Sequence, residues 1–284
     1  MEPLVEALTL RKCAMDEGIK EWIEALASKD HLTRLRCAER LRSMPLGALG
    51  PFFEVGLQDP RANVVAEVAR LAGRLRAVAT SQRLALIAAD HRASVRARKA
   101  AATALGALGF EPGLAALATL IDHPNDMLRR ATVEAAGRIG GAGALEILLE
   151  GASDAAWQVR MYAAIGLGSA TEAEPAFVAL DAALEVETHD ATAEEMLRSM
   201  AELATRCAAL SARAAARFVA ALEDPDASPG GWVRARAAAR GLGEVGAAEA
   251  IAALERVLTI DPPAQVAEQA QWALAQLESL DPLA

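Results

Sequence analysis

Glycine returns along this chain with an almost fixed stride. Gly73, Gly106, Gly137 and Gly168 stand 33, 31 and 31 residues apart, and each follows an apolar residue. The text before each is alike: Val64 to Ala72, Val95 to Leu105, Leu128 to Ala136 and Val159 to Leu167. The pattern comes back from Val233 to Gly243 and fades from Val266 to Leu277, where Trp272-Ala273-Leu274-Ala275 replaces the glycine ending. Self-similarity with a period near thirty residues marks an array of one supersecondary unit, not a single closed core.

The unit can be read from its spacing. Val159, Ala163 and Leu167 fall on one face of a helix, as their counterparts do in the other blocks. An Asp-bearing turn precedes each block, at Asp30, Asp59, Asp90, Asp122, Asp154, Asp224 and Asp261. Before the turn lies a second apolar helix, for example Leu84 to Ala89 or Leu114 to Ile121. The expected repeat is therefore helix A, acidic turn, helix B and a glycine stop. Asp should cap the N–H groups of helix B, and Gly should permit a left-handed exit. One such hairpin cannot bury its apolar stripe alone, so neighbours must stack.

Composition agrees. Alanine occupies 69 of 284 positions and aromatic residues only 4%, which suits closely packed helices and speaks against a sandwich or barrel. A hydrophobic share of 53% excludes wholesale disorder. The chain is expected to be one all-α domain over 1–284. Within it, 1–18 should form a cap helix (residues 3–14), 19–170 regular repeats, 171–231 irregular repeats with longer loops, and 232–284 the last repeats and a Gln-rich cap. Seven to eight helix pairs are expected, from near Ile19 to near Leu280.

The motif Asp, five or six residues, Val-Arg-x-x-Ala-Ala-x-(Ala/Gly)-Leu-Gly resembles the HEAT repeat, in the bacterial form also seen in phycobilin lyase-like proteins. It is clearest over 80–170 and 232–280. The resemblance implies a right-handed α-solenoid of about seven to eight hairpins with B helices along its concave side. It also implies that Arg96, Arg129, Arg160 and Arg234 pair with turn carboxylates, such as Asp154 for Arg160, in a ladder between repeats.

Net charge is −9, yet residues 1–142 sum to +4 and residues 143–284 to −13, which reads either as ordinary solvated helix surface or as a bipolar surface that meets an anionic partner at its N-terminal end. The start of the chain has neither a basic n-region nor an apolar h-region, and the longest uncharged stretch, Ala100 to Phe110, is too short to span a bilayer. Cys13, Cys37 and Cys207 form no CxxC pair. A cytoplasmic location is expected.

No catalytic constellation emerges. His31, His91, His123 and His189 all fall in A-to-B turns, where stacking at about 8–10 Å keeps them too far apart for one zinc ion. His189 with Glu185, Glu187, Asp190, Glu194 and Glu195 is the best remaining metal candidate. The paired His-Glu steps of HEAT-repeat hydroxylases are missing from the sequence. Gly140-Gly141-Ala142-Gly143 follows no strand, so it is no phosphate loop. No enzyme activity, cofactor or metal is expected.

The expectation is a non-enzymatic scaffold whose B-helix face holds a partner peptide or helix. Arg70, Arg74, Lys99, Arg130 and Arg138 would meet an acidic or amphipathic partner segment, and Met161, Tyr162 and Ile165 would form an exposed apolar anchor. The alternatives are an accessory or lyase-like subunit acting on a chromophore-bearing protein, and a HEAT-like nucleic-acid binder. Only four lysines and no aromatic-basic interleaving count against the last.

Overall fold

The computed structural model describes residues 17–223 and 231–280. The cap helix expected over 3–14, Cys13, and the Asp224-containing loop lie outside the described residues. Every regular element among those residues is helical, and helices alternate as the repeat predicts. The A helices are α1 (17–27), α3 (Gly50–Gly56), α5 (Ser81–Ala89), α7 (Leu114–Ala118), α9 (Ala142–Gly151), α11 (Ala173–Val186), α13 (Ser211–Glu223) and α15 (Ile251–Thr259). Each is followed by its B helix: α2 (His31–Arg42), α4 (Ala62–Arg74), α6 (Val95–Leu108), α8 (Asp126–Ile139), α10 (Trp157–Gly168), α12 (Asp190–Arg206), α14 (Gly231–Val245) and α16 (Ala264–Leu280).

The chain divides into two compact units, Met1–Ala135 and Ala136–Ala284. In the first, α3 packs on α4, α4 on α6 and α5 on α6. In the second, α10, α12, α14 and α16 pack B helix on B helix, and each is backed by its own A helix. Both interiors are lined by small side chains. Ala66, Ala69, Ala72, Ala101 and Ala102 are sealed in the first unit, Ala163, Ala164, Ala238 and Ala239 in the second. The few large fillers, among them Phe52, Phe177 and Phe218, are fully buried.

Of the recurring glycines only Gly168 is the last residue of its helix. Gly73, Gly106, Gly137 and Gly243 lie inside B helices, pressed against the next B helix. A Cβ at Gly106 would stand 2.7 Å from the Cα of Ala135, and one at Gly73 would stand 3.0 Å from the Cα of Ala104. At Gly243 it would stand 2.9 Å from the Cα of Ala273. The glycine period therefore records close backbone approach between stacked repeats, since no side chain fits there. The left-handed exit lies three residues on, at Gly109, Gly140 and Gly246, with φ of 63°, 73° and 73°. In the second hairpin that position is held by Arg76, with φ 53°.

The Asp turns also differ from expectation. Among the described residues only Asp30 caps its helix, accepting from the N–H of Leu32 at 3.3 Å and of Thr33 at 2.8 Å. Asp59, Asp90 and Asp154 instead accept the N–H two residues on, from Arg61, Arg92 and Ala156. They fix the turn that delivers the chain to the helix. Caps on α6 and α8 come from Ser94 and Asn125, which accept from Ala97 and Leu128.

Candidate functional site

The fourth residue of five B helices is an arginine, and in four of them it folds back onto its own A-to-B turn. Arg34 donates to the carbonyls of Ser28 and Lys29 at 2.8 and 2.9 Å. Arg98 donates to Ala88 at 3.0 Å, and Arg129 to His123 at 2.8 Å. Arg160 reaches Asp154 and Ala155 at 2.7 and 3.0 Å. Arg234 crosses to the carbonyl of Glu187. These carbonyls lie at or just after the end of helix A, where a guanidinium satisfies groups the helix leaves open. The expected carboxylate ladder is corrected in two ways. Arg98, not Arg96, holds the repeat position, eight residues before its glycine as in Arg129 and Arg160. Guanidinium donors at that position also reach backbone oxygens of the turn, while Asp154 accepts the N–H of Ala156 and holds its own turn.

One true charge pair is built into this row. Arg160 grips Glu187 with two bonds of 2.6 and 2.7 Å. The Glu187 side chain is wholly buried and that of Arg160 is 17% exposed. Burial pushes the Glu187 carboxyl upward, but the Arg160 fork and the N–H groups of His189 and Thr188 outweigh it and hold it below its ordinary range. Beside it the His189 ring stacks on Trp157, with centroids 3.9 Å apart, and Nδ1 lies 3.2 Å from the Thr192 hydroxyl. Glu187 and His189 are therefore both occupied by structure. Among the described residues, no three His, Cys, Asp or Glu side chains gather as metal ligands.

The expected partner-binding residues fall in both units. In the first, Arg70 is half-buried and pairs with Glu67 at 2.7 Å. Arg96 joins the same carboxylate at 3.2 Å, tying α6 to α4. Arg74 is exposed and Lys99 half-buried, and neither has a hydrogen bond or ion pair among the described residues. Arg130 is half-buried and has a partner. In the second unit Arg138 is exposed, also with a partner. Val159, Ala163 and Leu167 are fully buried, as the stripe requires. Met161 and Tyr162 are half-buried rather than exposed, and only Ile165, at 40%, is open to solvent. The anchor is thus narrower than the sequence suggests, because Met161 and Tyr162 flank the buried stripe.

Further along the second unit, the B-helix face carries charges that cancel internally. Arg198 on α12 pairs with Glu195 and Glu202. Arg236 on α14 holds Glu194 on α12 and Gln265 on α16, and Arg240 pairs with Glu244. Glu194, Arg198, Arg236, Arg240 and Glu244 line a hollow of about 300 Å³.

Hairpins with this order and spacing define an all-α protein of the HEAT-repeat α-solenoid fold. Residues 83–168 match the family of HEAT repeats. No curated protein matches the chain. Among solved structures, YibA of Escherichia coli is 14% identical with a TM-score of 0.62, over 94% of this chain and 96% of that one. Yeast importin-β (Kap95p) is 11% identical with a TM-score of 0.56, over 93% of this chain and 47% of that one. The CpcE–CpcF complex of phycocyanin lyase from Nostoc is 17% identical with a TM-score of 0.48, over 81% and 94%. The first two likenesses establish the fold. Among the described residues no helix is long and apolar enough to cross a membrane.

Proposed function

We propose that this protein is a non-enzymatic scaffold that holds an acidic or amphipathic segment of a partner protein on the B-helix face of its first unit. The observation that carries this is the state of the cations on α4 and α6. Arg74 and Lys99 stand on that face without an internal carboxylate, next to Arg70 and Arg96, which share the single Glu67. Three or four cations against one carboxylate leave charge for an incoming acid to neutralise, and steer its approach. Arg130 extends the first unit's set, and Arg138 with the Met161, Tyr162 and Ile165 edge of α10 is a separate set of contact residues in the second unit.

The test is affinity capture of the partner by the whole chain, followed by variants. Arg74→Glu with Lys99→Glu should abolish capture, and 0.5 M salt should weaken it for the native chain. Tyr162→Ala should have a smaller effect. A partner retained at full strength by the double charge reversal removes the proposal.

A further inference from the structure

The first unit has an apolar groove on another side, where α3 meets the turn leading into α5. Its volume is about 430 Å³, and Phe53, Leu57 and Ala77 form its floor. Leu46 and Val78 form its walls at 43% and 63% exposure. The rim carries one charge of each sign, Arg83 from α5 and Glu54 from α3, and neither has an ion pair among the described residues.

The second unit bears a complementary projection. Val186, at the end of α11, is 79% exposed, the most open of the large apolar side chains described. Glu185 beside it is exposed and without a partner. On the other side Glu187 is buried against Arg160, so the next surface residue is the neutral Thr188. Along the chain the apolar Val186 thus has an exposed carboxylate on its N-terminal side only; Arg217 and Arg234 share one hollow with it, and Asp154 and Arg160 another.

We infer that a second copy of this chain inserts its Glu185–Thr188 turn into this groove. Val186 enters between Leu46 and Val78, Glu185 meets Arg83, and Thr188 faces Glu54. The opposite arrangement would set Glu185 against Glu54, so the charges select one orientation. The imbalance of +4 in residues 1–142 and −13 in residues 143–284 favours the same head-to-tail approach. Knob and groove are different surfaces, so the contact is heterologous. So small a contact belongs with weak, concentration-dependent encounters.

Sedimentation of the full chain tests this without any unknown ligand. At low ionic strength the native protein should gain mass with concentration, and 0.5 M salt should reverse the gain. Val186→Asp and Val78→Asp should each sediment as monomers with unchanged helical content. Mixed in equal amounts they should form a dimer that stops there, because each supplies the surface the other lacks. Arg83→Glu and Glu185→Lys should behave as a second complementary pair, associating with each other more strongly than either does with itself. A native chain that stays monomeric at every concentration overturns the inference. So does a mixture of the two Asp variants that stays monomeric, or single variants that still assemble.

Discussion

The two units handle charge on the same scaffold in opposite ways. In the second unit every arginine has a partner, and no lysine is present. In the first unit Arg36, Arg74, Arg83 and Lys99 have neither hydrogen bond nor ion pair among the described residues. Repeat stacking alone cannot explain this, because both units place cations at similar phases of helix B. The difference lies in the neighbours. Glu194, Glu195, Glu202 and Glu244 on α12 and α14 absorb the guanidinium groups beside them, whereas α4 and α6 offer only Glu67 on that face. Charge spent internally stabilises a repeat, and charge left open is available to a partner.

The largest test of that division is the buried pair. Arg160→Met leaves the Glu187 carboxylate buried and without its main counter-ion, which should cost about 3–5 kcal/mol in urea denaturation. Replacing both, as Arg160→Met with Glu187→Leu, should recover most of the loss. In the first unit Arg70→Met removes a pair whose partners are both about a third exposed, and less than about 1 kcal/mol should follow. Equal losses from the two single variants would erase the contrast.

Acid should separate the units too. The folded Glu187 carboxyl is held below its ordinary value, so it binds its proton less readily folded than unfolded. Its contribution is whole above the unfolded carboxylate range, about pH 4.3, and is lost as pH falls through the lower folded value. Glu187→Gln should flatten the acid limb of a stability profile measured from pH 6 to pH 3. An unchanged slope would show that other carboxylates govern acid unfolding. Asp59, held down by Arg61, is the first unit's counterpart and should remain as residual slope.

Most of the fold was legible because the repeat period and the apolar stripe are both local signals. Val159, Ala163 and Leu167 could be placed from spacing alone. The glycines were harder. The sequence shows that Gly106 recurs, but not whether it turns the chain or admits a neighbour, and only the distance to Ala135 decides. The charged residues were least legible. Arg96 and Arg98 differ by two positions, and helix phase sends one to Glu67 and the other to the Ala88 carbonyl. Glu187 read as one of several acidic loop residues, and nothing nearby in sequence announces a partner 27 residues away. Met161 and Tyr162 were placed on the open face although their large side chains reach partly over the stripe.

The two kinds of glycine can be separated by substitution. Gly106→Ala sets a methyl against the Ala135 backbone, where no flexible side chain can give way, and should cost about 1–3 kcal/mol. Gly109→Ala meets no neighbouring atom and carries only the left-handed backbone penalty, about 1 kcal/mol. Thermal unfolding would rank them, and a milder effect at Gly106 than at Gly109 would contradict the close-approach account.

The smallest effect expected is a gain. Arg76 occupies the left-handed position that glycine holds at Gly109, Gly140 and Gly246, and its side chain is exposed. A non-glycine residue there costs about 1–2 kcal/mol, while glycine gives back part of that as extra freedom in the unfolded chain. Arg76→Gly should therefore raise stability by about 0.5–1 kcal/mol, visible as a small rise in the melting temperature. The Val78 N–H donates to the Arg76 carbonyl at 2.8 Å and the Ala77 N–H to the Ala72 carbonyl at 2.9 Å, which fixes the turn from both sides. A loss of stability on this substitution would mean that the arginine side chain contributes more at this turn than its backbone strain removes. That would place another of the first unit's cations among those used internally, and narrow the contrast between the two halves of the chain.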